Sequence, residues 1–165
     1  MAKHPLVSDT TVLLYLDRIG QVDLLHALFS AVHVPEAVLL ELDTGRLIRR
    51  DTVDPRDIAW TTAVPVPQAT IDALPENRLG VGEQAVVAYA QAHPDYAVGL
   101  DDLQARRLAE SLDLKVIGTL GVLLRAKRSG LIRSVRPLLD DLIDRGFRLD
   151  PALYQDVLEL AEESK

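Results

Sequence analysis

The stretch Tyr96-Ala97-Val98-Gly99-Leu100-Asp101-Asp102 is apolar, too short for a helix, and flanked on both sides by helical patterns. It reads as a buried strand with two carboxylates at its C-terminal end. Leu6-Val7-Ser8, Ala31 to Val34 and Lys115-Val116-Ile117 have the same character, and each is followed by residues at helical spacing. Strands that alternate with helices require parallel crossovers, and a parallel sheet must be covered on both faces. The fold class is therefore α/β, a three-layer α/β/α sandwich with a central, mainly parallel sheet. In such a sheet ligands bind beyond the C-terminal strand ends, where Asp9 and Asp101 both fall.

The helices follow from apolar spacing and end signals. Val12, Leu13, Leu16 and Ile19 mark one that Gly20 stops, and Val22, Leu24, Leu25 and Leu28 a short second one. Pro35 suits a first helical turn ahead of Val38, Leu39 and Leu42, with Glu41 near that apolar face. Glu83 to about His93 is a helix rich in small residues, and Ala105, Leu108, Ala109 and Leu112 mark the next. Gly118-Thr119 opens another that Gly130 closes. Ser134 to Arg145 ends at Gly146, and Asp150-Pro151 pairs a cap with a proline at the first helical position. Gly45 to Gln68 has no clear period. Ile58-Ala59-Trp60 and Val64-Pro65-Val66 are candidate extended segments, the latter confined by Pro65 and Pro67 to an edge or loop.

At 165 residues the chain suits one domain with a sizeable core, spanning 1–165 with 131–165 as its helical C-terminal extension. The absence of cysteine excludes a disulfide framework or thiolate metal site. No signal-peptide pattern or apolar run of the ~20 residues needed to span a bilayer is present, so a cytoplasmic protein without membrane contact is expected. The net charge of -7 opposes nonspecific phosphate binding. Its distribution is uneven: between Asp113 and Asp140 there is no acid, while Lys115, Arg125, Lys127, Arg128, Arg133 and Arg136 are basic. Such an asymmetry would suit a phosphate-bearing partner on one face, but from charge alone a solvated helix face is the better reading.

Singly, the acids have plain roles. Asp9 would cap a helix, Glu83 would complement a helix dipole, Glu41 would be an ordinary helical glutamate, and Asp101 or Asp102 a turn or cap. Jointly they pose a different problem, because gathered carboxylates repel unless a cation neutralises them. Hard oxygen ligands of this kind suit Mg²⁺ or Mn²⁺.

Val7-Ser8-Asp9-Thr10, Val34-Pro35-Glu36-Ala37-Val38-Leu39-Leu40-Glu41-Leu42, Gly80-Val81-Gly82-Glu83 and Leu100-Asp101-Asp102 with Ala105-Arg106-Arg107 together resemble the PIN-domain nucleases. The likeness is to a branch of short prokaryotic proteins often found as the toxin of toxin-antitoxin pairs. Gly118 to Lys127 resembles that branch too. The resemblance implies that Asp9, Glu41, Glu83 and Asp101 are catalytic carboxylates holding Mg²⁺ or Mn²⁺, with Asp102 a further ligand. Glu83 stands where many members have aspartate. The implied reaction is metal-assisted hydrolysis of a phosphodiester in single-stranded RNA, with no protein nucleophile. Thr10 and Thr119, at helix starts, would hold phosphate or water, or simply cap. Arg106 and Arg107 would touch the nucleic-acid backbone or lie on a solvated face. A homodimer through the terminal helices and a small antitoxin are the implied partners.

Two alternatives stand beside this. A binding module with weakly occupied acids and no catalysis would suit the acidic balance and Glu83. Gly80-x-Gly82-x-x-Ala85, with Asp101 about 20 residues on, matches a dinucleotide fingerprint. That fingerprint needs a strand before its first glycine, where Asp72 to Leu79 carries Pro75, Glu76, Asn77 and Arg78. Glu83 would also face the pyrophosphate. The histidines 4, 26, 33 and 93 have no metal-ligand spacing, and neither a P-loop nor a Gly-x-Ser-x-Gly elbow is present.

Overall fold

Five parallel strands form one sheet in a computed structural model that describes residues 3–46 and 53–164. They are β1 (Leu6–Ser8), β2 (Val32–Pro35), β3 (Thr61–Val64), β4 (Ala97–Gly99) and β5 (Lys115–Ile117), in the order β3-β2-β1-β4-β5. The helices between them are α1 (Thr10–Arg18), α2 (Asp23–Leu28), α3 (Glu36–Arg46), α4 (Gln68–Asp72), α5 (Val81–Ala92) and α6 (Leu103–Ser111). After β5 come α7 (Thr119–Arg128), α8 (Arg136–Asp144) and α9 (Pro151–Leu160). The expected three-layer α/β/α architecture is present, with every strand pair parallel.

The strand order has a consequence for the site. From β1 the chain steps outward through β2 to β3, then returns across the sheet to β4 on the other side of β1. Right-handed crossovers in opposite directions put their helices on opposite faces. Accordingly α5 packs on β1, β2 and β4 and against α6, whereas α1 and α2 meet α7. The crevice between β1 and β4 is the switch point of the fold. Their register pairs Ser8 with Gly99, so Asp9 and Asp101 leave neighbouring strands at the same end. A side chain at residue 99 is excluded, since a Cβ there would stand 2.5 Å from Ser8 Oγ.

Leu6, Val7, Val98 and Leu100 are fully buried between the layers with Leu13, Leu16, Val86 and Leu123. Residues 85–90 of α5 are buried all round, as expected of a helix held between a sheet and other helices. Glycines at positive φ, Gly20, Gly130 and Gly146, follow α1, α7 and α8 as left-handed C-terminal stops.

Several boundaries differ from expectation. Ile58-Ala59-Trp60 is not a strand: Trp60 stacks on His26 of α2 at 5.4 Å between ring centroids, and the strand begins at Thr61. It lies at the sheet edge and ends ahead of Pro65, where a missing N–H costs no ladder bond. Helix α4 gave no periodic signal, being only five residues long. Helix α5 starts at Val81, two residues before Glu83, and α8 at Arg136 rather than Ser134. Within the unpatterned span 45–68, residues 47–52 lie outside the described ones. Among the described residues no helix is long and apolar enough to cross a membrane.

Candidate active site

Asp9 immediately follows β1 and is 8% exposed. Its backbone N–H donates to Gly99 O at 3.2 Å, while its carboxylate accepts from Thr11 N at 3.1 Å as the N-cap of α1. The capping role is therefore real and coexists with a place at the switch point. Asp101, one strand away, accepts from both the backbone N–H and the hydroxyl of Thr119, each at 2.7 Å. Thr119 is fully buried at the first position of α7, so Asp101 satisfies a helix-terminal donor that lacks an intrahelical partner. Gly118 leaves room for this contact: a Cβ there would fall 2.7 Å from Asp101 Oδ1 and 2.4 Å from Arg106 Nη1. Asp102 caps α6 through Ala105 N at 2.9 Å.

Glu83 reaches back to the N–H of Gly80 at 3.3 Å, the local return contact of a helix start. Glu41 is exposed, yet its Oε1 accepts from Gly82 N at 2.8 Å, joining α3 to the first turn of α5. Asp9, Glu83, Asp101 and Asp102 line one open cleft of about 510 Å³. Glu41 lies beside that cleft without lining it. Thr10, Thr119, Arg106 and Arg107 are also absent from the lining. Thr119 acts through Asp101, Arg106 donates to Leu100 O at 3.4 Å, and Arg107 is exposed on α6.

A family model of the PIN domain matches residues 5–163. The chain belongs to the PIN-domain family. PIN domains are in general nucleases. No curated protein matches the chain.

The carboxylates of this PIN domain are only partly compensated by basic charge, Arg106 acting on Asp101. Burial, followed by the charge of Asp101, raises the Asp9 pKa to about 8, the N–H groups of Val12 and Thr11 opposing the shift and Glu83 adding to it. Burial likewise raises Asp101, against the bonds from Thr119 and the charge of Arg106. Glu83 is raised by burial and by the neighbouring carboxylates Asp102 and Glu41, with Gly80 N–H opposing. Three acids held near one another with pKa values pushed upward make a site that a cation would stabilise in its ionised form.

The donor chemistry fits a hard divalent ion, being all oxygen with one deeply buried carboxylate. Among the described residues no group of three His, Cys, Asp or Glu side chains is arranged to hold a metal. Mg²⁺ requires only one or two protein carboxylates, water completing its shell. PIN nucleases generally use divalent metals. Asp9 and Asp101, at adjacent strand ends, are the residues that could hold one, with Glu83 and Asp102 in the same cleft.

The cleft is also lined by Gly146, Phe147 and Arg148, beside Thr11 and Tyr15 of α1, a wall that the sequence does not disclose. These residues are far from the acids in the chain, and apart from Gly146 as a helix stop no sequence signal marks them. The dinucleotide fingerprint fails as expected, because residues 73–80 contain no strand. His33 and His93, distant in sequence, share an aromatic cluster with Tyr89 and Tyr96. There His33 Nδ1 lies 3.1 Å from Tyr89 Oη, and the His93 ring stacks on Tyr89 at 4.1 Å.

Proposed function

We propose that this PIN domain is an Mg²⁺- or Mn²⁺-dependent endoribonuclease that hydrolyses phosphodiester bonds of single-stranded RNA. Asp9, Glu83 and Asp101 form its centre, with Asp102 and Glu41 flanking. The observation that carries the reading is the meeting of Asp9 and Asp101 at adjacent strand ends, in a cleft they share with Glu83 and Asp102. A bound divalent cation supplies Lewis acidity toward phosphate and water. Asp9, buried and fixed by Thr11 N–H, is preorganised for that cation. Asp101, fixed by two bonds from Thr119, is equally so, and neither has to be ordered on binding.

The test is cleavage of single-stranded RNA with Mg²⁺ or Mn²⁺. Activity should be abolished by chelation and by Asp9→Asn or Asp101→Asn with folding retained. Absence of metal binding at millimolar concentration would sink the reading.

A role as the toxin of a toxin-antitoxin pair, with a small antitoxin as partner, belongs to the same proposal and rests on the family resemblance. A homodimer is supported by Ile143, Leu153 and Leu160, which are 40%, 42% and 56% exposed on α8 and α9. Light scattering that finds only monomer at high concentration refutes the dimer. The second reading, a PIN-like binding module without catalysis, is favoured by the bond of Glu83 to Gly80 N–H, which occupies a carboxylate oxygen. RNA binding without metal-dependent cleavage would select it.

A further inference from the structure

One wall of the carboxylate cleft is supplied by the connection between α8 and α9, not by the sheet and its crossover helices. Its position is fixed through α8. At the C-terminus of that helix Gly146 takes φ +97°, and the N–H of Phe147 donates to Leu142 O at 2.9 Å, a closure that left-handed backbone makes possible. At the N-terminus, Val135 N and Arg136 N donate to the Glu163 carboxylate at 2.7 and 3.1 Å. Phe147 then meets Tyr15 edge to face with ring centroids 5.0 Å apart. Tyr15 belongs to α1, the helix that Asp9 caps. The wall is thereby docked on the element that begins at the deepest carboxylate.

Among the residues lining this cleft, Arg148 is the basic one, and it shares the space with Asp9, Glu83, Asp101 and Asp102. It is exposed, and among the described residues it makes no ion pair with those acids. A guanidinium recruited to neutralise the cluster would pair with it. Arg148 makes no such pair among the described residues. Arg106 is differently placed, donating to a backbone carbonyl. A phosphodiester entering among four carboxylates is repelled, and one divalent ion offsets only half of their formal charge. A guanidinium at the rim reduces the remainder, and its planar fork matches two phosphate oxygens.

We propose that Arg148 binds a backbone phosphate of the nucleic-acid substrate, so that the α8–α9 connection is part of the substrate-binding surface. The inference rests on the nuclease reading above and names a residue that reading does not require.

The experiment measures cleavage of a labelled single-stranded RNA across RNA and salt concentrations. It compares wild type, Arg148→Ala and Arg148→Lys, with Asp101→Asn as the control for the nuclease reading. Arg148→Ala is expected to raise KM about tenfold, the size of one charge-assisted contact, with kcat changed by less than about threefold. The salt slope of 1/KM should fall by about 0.7, as for one lost single-strand phosphate contact. Arg148→Lys should recover part of the affinity, and both variants should keep the wild-type Tm. An active wild type with KM and salt slope unchanged in Arg148→Ala overturns the inference and leaves the nuclease reading standing. Loss of Tm together with activity, unrelieved by lysine, assigns Arg148 a structural role and also overturns it. A wild type indistinguishable from Asp101→Asn overturns the nuclease reading and this inference with it.

Discussion

Glu41 Oε1 accepts a hydrogen bond from the backbone N–H of Gly82 at 2.8 Å, and a Cβ on residue 82 would stand 2.5 Å from Glu41 Oε2. The glycine is thus the complement of the glutamate, letting a carboxylate from α3 approach the backbone at the start of α5. Placing alanine there separates stability from function. The atoms displaced belong mainly to the far end of an exposed side chain, and alanine is the better helix former by roughly 0.5–1 kcal/mol. Gly82→Ala should therefore change unfolding free energy by less than about 1 kcal/mol while moving Glu41 and weakening metal-dependent cleavage. A loss of stability well beyond that range, measured by urea titration, would show that Val38, 3.2 Å from the same Cβ position, governs the site instead.

The two bonds from Thr119 to Asp101 can be separated chemically. Thr119→Val keeps the backbone donor and the volume but removes the hydroxyl at 2.7 Å. The loss should cost about 1 kcal/mol, with more if the carboxylate is left short of a partner. These bonds also oppose the burial that raises the Asp101 pKa. Without the hydroxyl the pKa rises further, so the acidic limb of the cleavage pH profile should move to higher pH. A profile that keeps its acidic limb in Thr119→Val would mean that ionisation of Asp101 does not limit the rate.

Asp9 predicts an unusual dependence of stability on pH in metal-free protein. Its native pKa is about 8 against an ordinary 3.8. Between those values the folded state retains a proton that the unfolded chain has released, so stability falls as pH rises through the window. The whole loss has accrued above about pH 8. Asp9→Asn keeps a capping acceptor for Thr11 N–H and cannot ionise. It should raise the stability of metal-free protein at alkaline pH by on the order of a few kcal/mol, with little effect near pH 4. Added Mn²⁺ should narrow the gap by stabilising wild type. Equal melting temperatures for the two proteins at alkaline pH in chelator would count against an unneutralised buried carboxylate.

The contrast between Asp9 and Arg148 shows where sequence patterns inform and where they stop. Asp9 and Asp101 were legible because an apolar run, an acid and a helix start are contiguous in the chain, and parallel strands share one C-terminal end. Strand β3 was obscure because it lies at the sheet edge: Thr62 and Ala63 are exposed while Val64 is buried, which breaks the alternation of a half-buried strand. The apolar spacing assigns Glu41 to α3, but its approach to Gly82 depends on the packing of α3 against α5. Arg148 had no local signature, since only the docking of α8 and the Phe147–Tyr15 contact bring it to acids more than forty residues away.

Glu163 provides a stability test at the opposite end of the pH scale. Its carboxylate accepts from Lys127 Nζ at 2.8 Å, Ser134 Oγ at 2.6 Å and the N–H groups of Val135 and Arg136. It caps α8 from outside that helix and ties the end of α9 to α7. Burial acts to raise its pKa, but these bonds win and hold it at about 2, against an ordinary 4.5. For an acid with a lowered native pKa the stabilisation is complete above the unfolded value and is lost as pH falls from about 4.5 towards 2. Glu163→Ala removes every one of these acceptors and should cost about 2–3 kcal/mol at neutral pH. Glu163→Gln, which keeps oxygen acceptance but not charge, should lie between. At pH near 2 the wild-type carboxyl is about half protonated, so the wild-type advantage over Glu163→Gln should have largely disappeared, while the difference between glutamine and alanine stays. A wild-type advantage that persists undiminished to that pH would assign the contribution to packing of residues 161–164 and not to the charge of Glu163.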